Sequence, residues 1–157
     1  MPVILKKAFA AISLLLFIGC VEIADYSLQA YTNATSLKAR SLSLVAKATE
    51  PYATHRAEAE ALLIAIDEAY EFANGIENNN EAARMWEILR DPDRTLVGGF
   101  VNAWETGAAN GFSTDESGGS PFLREVGQNL SDSFDRLICL EANKREPSAC
   151  PAPAPNL

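Results

Sequence analysis

Residues 22–49 read EIADYSLQAYTNATSLKARSLSLVAKAT, and the spacing inside them decides the fold class. Ile23, Ala30, Leu37 and Leu44 recur every seven residues, while Ser27, Ala34, Ser41 and Ala48 fall between them at the complementary heptad position. Large residues thus alternate with small ones along one seam, the pattern of a helix that lies close against a neighbour. The spacing predicts a helix from about Glu22 to Thr49, with Pro51 marking its end.

Working outward, a second stripe of Ala59, Leu62, Ile66, Ala69, Tyr70 and Ala73 predicts a helix over residues 53–73, stopped by a left-handed turn at Asn74-Gly75. The connection at 50–52 is short enough to make the two helices antiparallel neighbours. Asn78, Asn79 and Asn80 offer N-caps for a shorter helix through Met85, Trp86, Ile88 and Leu89, closed by Asp91-Pro92. A second short helix holds Leu96, Val97, Phe100, Val101 and Trp104, with Asp93 as its cap and Gly98-Gly99 as its weak point. Residues 105–119 are rich in Gly, Ser, Asn and Asp and read as a mobile surface loop.

Ser120-Pro121 pairs a capping residue with proline at the first helical position. From there Phe122, Val126, Leu130, Phe134, Leu137 and Leu140 or Glu141 mark a helix to about Asn143. Few runs alternate as strands would, so the expected fold is all-α: a small bundle of three long helices and about two short ones. Its expected extent is 20–146, followed by a Pro-rich tail at 147–157 that is extended and poorly ordered beyond Cys150.

The first twenty residues follow a different logic. Lys6 and Lys7 precede an apolar run from Ala8 to Gly19, the charge and length of a signal-peptide core. A bilayer span needs roughly 20 apolar residues, so an export signal is the better reading. The run ends in Phe17-Ile18-Gly19-Cys20, which resembles the lipobox that closes bacterial lipoprotein signal peptides, although Phe17 stands where Leu is usual. In that class the cysteine thiol is joined to diacylglycerol, the peptide is cut just before it, and the new amino group is usually acylated.

The resemblance, which covers the N-terminus alone, implies that Cys20 is the lipidated residue and that 1–19 are removed. Two or three acyl chains hold a protein stably, at about 0.8 kcal/mol per buried methylene. Val21 follows the cysteine where an Asp is associated with inner-membrane retention, so the resemblance favours the outer membrane, facing the periplasm. No flexible tether separates Cys20 from the first helical pattern. The domain should sit close to the membrane, unless the first helix stands up as a stalk of roughly 40 Å.

Taking residues 1–19 from 157 leaves 138, a size that suits one domain with a real core. The 13 basic side chains fall to 11 against 21 acidic ones, and the formal net charge moves from −8 to −10. So acidic a surface is repelled by phosphate backbones, which argues against nucleic acid as a partner. The acyl chains, rather than basic patches, are expected to bind the membrane. With Cys20 committed to lipid, Cys139 and Cys150 remain as an even pair in an exported chain, a possible disulfide, with two free thiols as the alternative.

Catalytic and metal constellations are weak. His55 is the only histidine, and with Glu58 three residues on it reads as a surface or helix-start residue paired with acidic neighbours. Glu60, Asp67, Glu68 and Glu71 read as a solvated face, because helix spacing alone creates no cleft between carboxylates. No G-x-S-x-G elbow or CxxC is present, and no cofactor is expected beyond the covalent lipid. Trp86 and Trp104 either close one end of the bundle or, if exposed, form an interaction site.

Two functions remain open. One is a non-enzymatic envelope lipoprotein that docks onto another envelope protein. The other is a ligand-binding bundle, or a weak enzyme, with a pocket near Trp86, Trp104 and His55.

Overall fold

The computed structural model describes residues 24–107 and 120–152; Cys20 and the signal-like segment lie outside the described residues, as do most of the loop expected at 105–119 and the last five residues. Five α-helices make up the described fold, and it is a small all-α bundle: α1 (Leu28–Lys47), α2 (Tyr52–Asn74), α3 (Asn80–Arg90), α4 (Val97–Thr106) and α5 (Pro121–Ala142), followed by a single 3₁₀ turn at Pro147–Ala149.

The seam on α1 is buried as its spacing predicts: Ala30, Ala34, Leu37, Ser41, Leu44 and Ala48 all face the core, joined by Val45. The helix starts at Leu28 rather than near Glu22. Ser27 is extended and its Oγ accepts the Ala30 N–H at 3.3 Å, so the side chain caps the first turn and ends the pattern early. Small residues at alternate seam positions let two neighbours approach. α5 runs antiparallel beside α1, tied by Lys38 to Asp135 at 2.6 Å, and α2 returns antiparallel on another side, tied by Lys47 to Glu58 at 2.7 Å. Packed on two helices within the bundle, α1 is not a free-standing stalk.

On α2 the predicted stripe is buried except Tyr70, which is half-buried under the Arg90 guanidinium, 4.0 Å from its ring centroid. Gly75 is not the left-handed stop. Its φ is −77° and its N–H still bonds Glu71 O at 3.0 Å, so the right-handed winding continues, and the left-handed residue is Asn78 with φ 59°. Asn79 then occupies the N-cap position of α3 but makes no capping bond, because its amide is committed elsewhere.

α4 begins at Val97 without a side-chain cap; Asp93 is not its cap, and its own N–H is bonded to Asp91 Oδ1 at 2.9 Å. Gly98 and Gly99 are not a weak point. A Cβ on Gly98 would lie 2.1 Å from Arg90 O, and one on Gly99 would lie 1.7 Å from Arg94 O, so the two glycines admit the α3–α4 turn against the start of α4. The helix runs on through Glu105 to Thr106, where Gly107 takes the left-handed position.

α5 starts as its cap predicts, with Ser120 Oγ accepting the Leu123 N–H at 3.3 Å. Leu123 rather than Phe122 heads the buried stripe, and both Leu140 and Glu141 are buried at its end. A disulfide joins Cys139 to Cys150 with Cα atoms 5.7 Å apart, so the chain from Pro147 to Cys150 folds back on α5. Leucines, isoleucine and phenylalanines from all five helices meet in one core, each contributing about 1.5–3 kcal/mol through burial.

Candidate functional site

Antiparallel packing gives the bundle two ends. One end holds the α1–α2 corner together with the end of α4. There Trp104 lies with its ring on Phe100 (5.8 Å) and His55 (5.8 Å) and edge-on to Tyr52 (5.5 Å). Its Nε1–H donates to Glu50 O at 3.0 Å, which fastens α4 to the corner. His55 places Nε2 2.9 Å from Glu50 Oε2 and Nδ1 3.6 Å from Glu58 Oε2. Both ring nitrogens therefore face carboxylates, the nearer one at hydrogen-bonding distance.

The charges around this corner restrain one another. The Lys47 ammonium, hydrogen-bonded to Glu58 at 2.7 and 2.8 Å, holds the Glu58 carboxyl below its usual range. Burial, and then the nearby Glu105 carboxylate, push the Tyr52 hydroxyl up. The cluster is a structural clamp on the α1–α2 turn.

Trp86 is 1% exposed and packs edge-to-face on Phe134, with centroids 6.0 Å apart; Trp104 is 6% exposed. Both rings are buried, as core packing requires, so the exposure on which an interaction site at these residues depended is not met: Trp86 meets Phe134 of α5, and Trp104 meets Tyr52 and His55 of α2 and Phe100 of its own helix. Two hollows of the described fold lie elsewhere. Glu60, Asp67, Glu68 and Glu71 are exposed on α2, and Asp67 is paired with Arg90 at 3.1 Å, so they form no facing pair across a cleft. No group of three or more His, Cys, Asp or Glu side chains is arranged to hold a metal among the described residues.

The other end is where the chain enters from Cys20. Here lies a polar cluster that sequence patterning misses. Glu141 is fully buried, and Lys144 Nζ sits 2.8 Å from its Oε2, outside hydrogen-bonding angles, so neither carboxylate oxygen has a hydrogen-bond donor among the described residues. The same ammonium donates to Asn79 Oδ1, and Asn79 Nδ2 donates to Ala73 O at 3.1 Å. Three helix ends are thereby joined. The signal in the sequence is an acidic residue at an apolar-stripe position with a lysine three residues on.

Beside this cluster, an open hollow of about 590 Å³ is lined by Ala24, Asp25 and Tyr26 from one side and by residues 142–146 from the other. A smaller groove of about 380 Å³ runs between α1 and α2 from Gln29 to Arg40, with Phe72 in its lining. No helix among the described residues is long and apolar enough to cross a membrane. No family model, no curated protein and no solved structure matches the chain.

Proposed function

We propose that the protein is a lipid-anchored envelope lipoprotein whose helical domain serves as an interaction or structural module without chemistry of its own. The observation that carries this reading is how the three cysteines divide. Cys139 and Cys150 take each other in a bridge of the kind that persists in exported compartments. The remaining one, Cys20, ends the Phe17-Ile18-Gly19-Cys20 run that resembles a lipobox.

Acylation there would hold the domain at the envelope, with the outer membrane favoured by Val21, and the partner would be another envelope protein. The packing at the α1–α2 corner supports a module of this kind, because Glu50 takes up both Trp104 and His55 and Lys47 takes up Glu58. A ligand pocket between the tryptophans draws no support from rings packed directly on their neighbours.

Two measurements test the proposal. The intact mass of protein extracted from envelopes should match residues 20–157 plus acyl groups; an unmodified full-length mass refutes the anchor. In-cell crosslinking, with a control whose residues 1–20 are replaced by a cleavable signal lacking the lipobox cysteine, should recover one anchor-dependent protein partner, and recovery of none counts against the interaction role.

A further inference from the structure

Four large apolar side chains stand exposed among the described residues: Tyr26 at 56%, Leu28 at 68%, Ile64 at 59% and Phe72 at 38%. Three of them belong to the end where the chain enters. Tyr26 lines the hollow at that end, Leu28 opens α1 immediately before Gln29 of the groove, and Phe72 lines the same groove from α2. Tyr26 also packs on Tyr31 at 6.5 Å, which presents an aromatic pair on the same stretch.

We propose that this end of the bundle docks on the bilayer itself, with Tyr26, Leu28 and Phe72 seated in the lipid interface. The inference rests on the reading of Cys20 as the acylated residue and adds to it an orientation and a contact surface. The length of chain outside the described residues argues for lipid as the occupant. Five residues separate Cys20 from Tyr26, and even fully extended the six steps span no more than about 22 Å. An acylated Cys20 lies at the hydrocarbon boundary, so Tyr26 and Leu28 stay within reach of the headgroup layer, where aromatic and apolar side chains settle.

Charge narrows the kind of contact. Arg145 is exposed at this end, but Asp25, Glu71, Glu77 and Glu146 are exposed there too, while Lys144 is committed to Glu141 and Asn79. Anionic headgroups would not draw such a surface in. The contact is apolar and aromatic, and it should be indifferent to the anionic fraction of the membrane.

Docked this way, the bundle points its α1–α2 corner away from the membrane. Twenty residues of α1 set that corner roughly 30 Å out, toward the envelope space. The docking end and the corner held by Trp104 are then opposite poles of the domain.

The test places p-benzoylphenylalanine at position 28, and at position 64 as the control, in the otherwise complete chain. Illumination takes place in cells and in nanodiscs of phosphatidylethanolamine with and without phosphatidylglycerol. The readout is the mass of the adducts on the purified chain. Phospholipid adducts at position 28, several-fold above those at position 64 and unchanged by phosphatidylglycerol, are expected. Adducts only to protein at position 28 would mean that another chain covers the patch, and no adduct would mean water; either overturns the docking.

The same spectra report acyl mass on Cys20, which separates this proposal from the one beneath it. An acylated chain without lipid adducts overturns docking and keeps the anchor. A chain without acyl mass that still forms lipid adducts at position 28 refutes the anchor and supports the surface.

Discussion

Glu141 is the side chain with the most at stake, because its carboxylate has no solvent exposure and is paired, among the described residues, with the Lys144 ammonium alone. Removing one member of a buried pair leaves the other uncompensated, at a cost of roughly 3–5 kcal/mol. Glu141→Ala should therefore lower the urea midpoint by an amount equivalent to about 3 kcal/mol, while Glu141→Leu combined with Lys144→Met should recover most of it. A double variant as unstable as the single one would show that the pair is not the source. Glu58 makes the opposite case, since it is largely solvated and its pairing with Lys47 is screened. Its folded pKa lies below the ordinary 4.5, so its contribution is present above the unfolded value and is lost as pH falls through the folded one. An NMR titration should place Glu58 below 4.5, and Lys47→Met should return it to the usual range; an unmoved titration in the variant would assign the shift to another group. From sequence, Glu141 was readable as a position on an apolar stripe, but the bond from its partner Lys144 to Asn79 joins residues 65 apart and depends on how three helix ends meet.

The helices themselves were legible because each buries one face, and a buried face writes a period of three and four into the chain. Their ends were less so. The α1 heptads extend past the true start because Ser27, a seam position, is the extended cap rather than a helical residue, and the turn after α2 uses Asn78 where Gly75 carried the stronger signal. Gly98-Gly99 was misread for a related reason. Glycine in a helix costs about 1 kcal/mol by propensity, but here each one admits a backbone carbonyl that no pattern announces. Gly99→Ala should thus destabilise by about 3 kcal/mol in urea unfolding, the upper range for overpacking, whereas a propensity effect would give a small gain. A gain would mean that the α3–α4 turn can move aside. The element joining α5 to the chain end rests on covalent chemistry instead. Cys150→Ser frees the segment from Pro147 onward, and closing so short a loop is worth roughly 2–3 kcal/mol. At a few degrees per kcal/mol for a domain of this size, the expected fall in Tm is about 5–10 °C, and an unchanged Tm would show that the segment holds without its bridge.

On the scale of the whole molecule, anchoring and orientation fall to different parts of the chain. A sixteen-carbon acyl chain contributes on the order of 12 kcal/mol of membrane affinity at about 0.8 kcal/mol per methylene. Each fully buried apolar side chain contributes at most about 1.5–3 kcal/mol, and Tyr26, Leu28 and Phe72 are only partly available for burial. The exposed patch can therefore set which end faces the membrane but cannot hold the domain there. Replacing residues 1–20 with a cleavable signal that lacks the lipobox cysteine separates the two roles, whereas Cys20→Ala alone would leave the apolar run at 8–19 in place as an anchor of its own. The exported domain should form its Cys139–Cys150 bridge, keep its helical circular dichroism and appear in the soluble envelope fraction, since all five helices and the bridge lie outside the exchanged segment. If the folded domain instead stays in the membrane pellet after a high-salt wash, the protein surface carries enough affinity by itself, and the lipid would be an addition to the membrane contact rather than its basis.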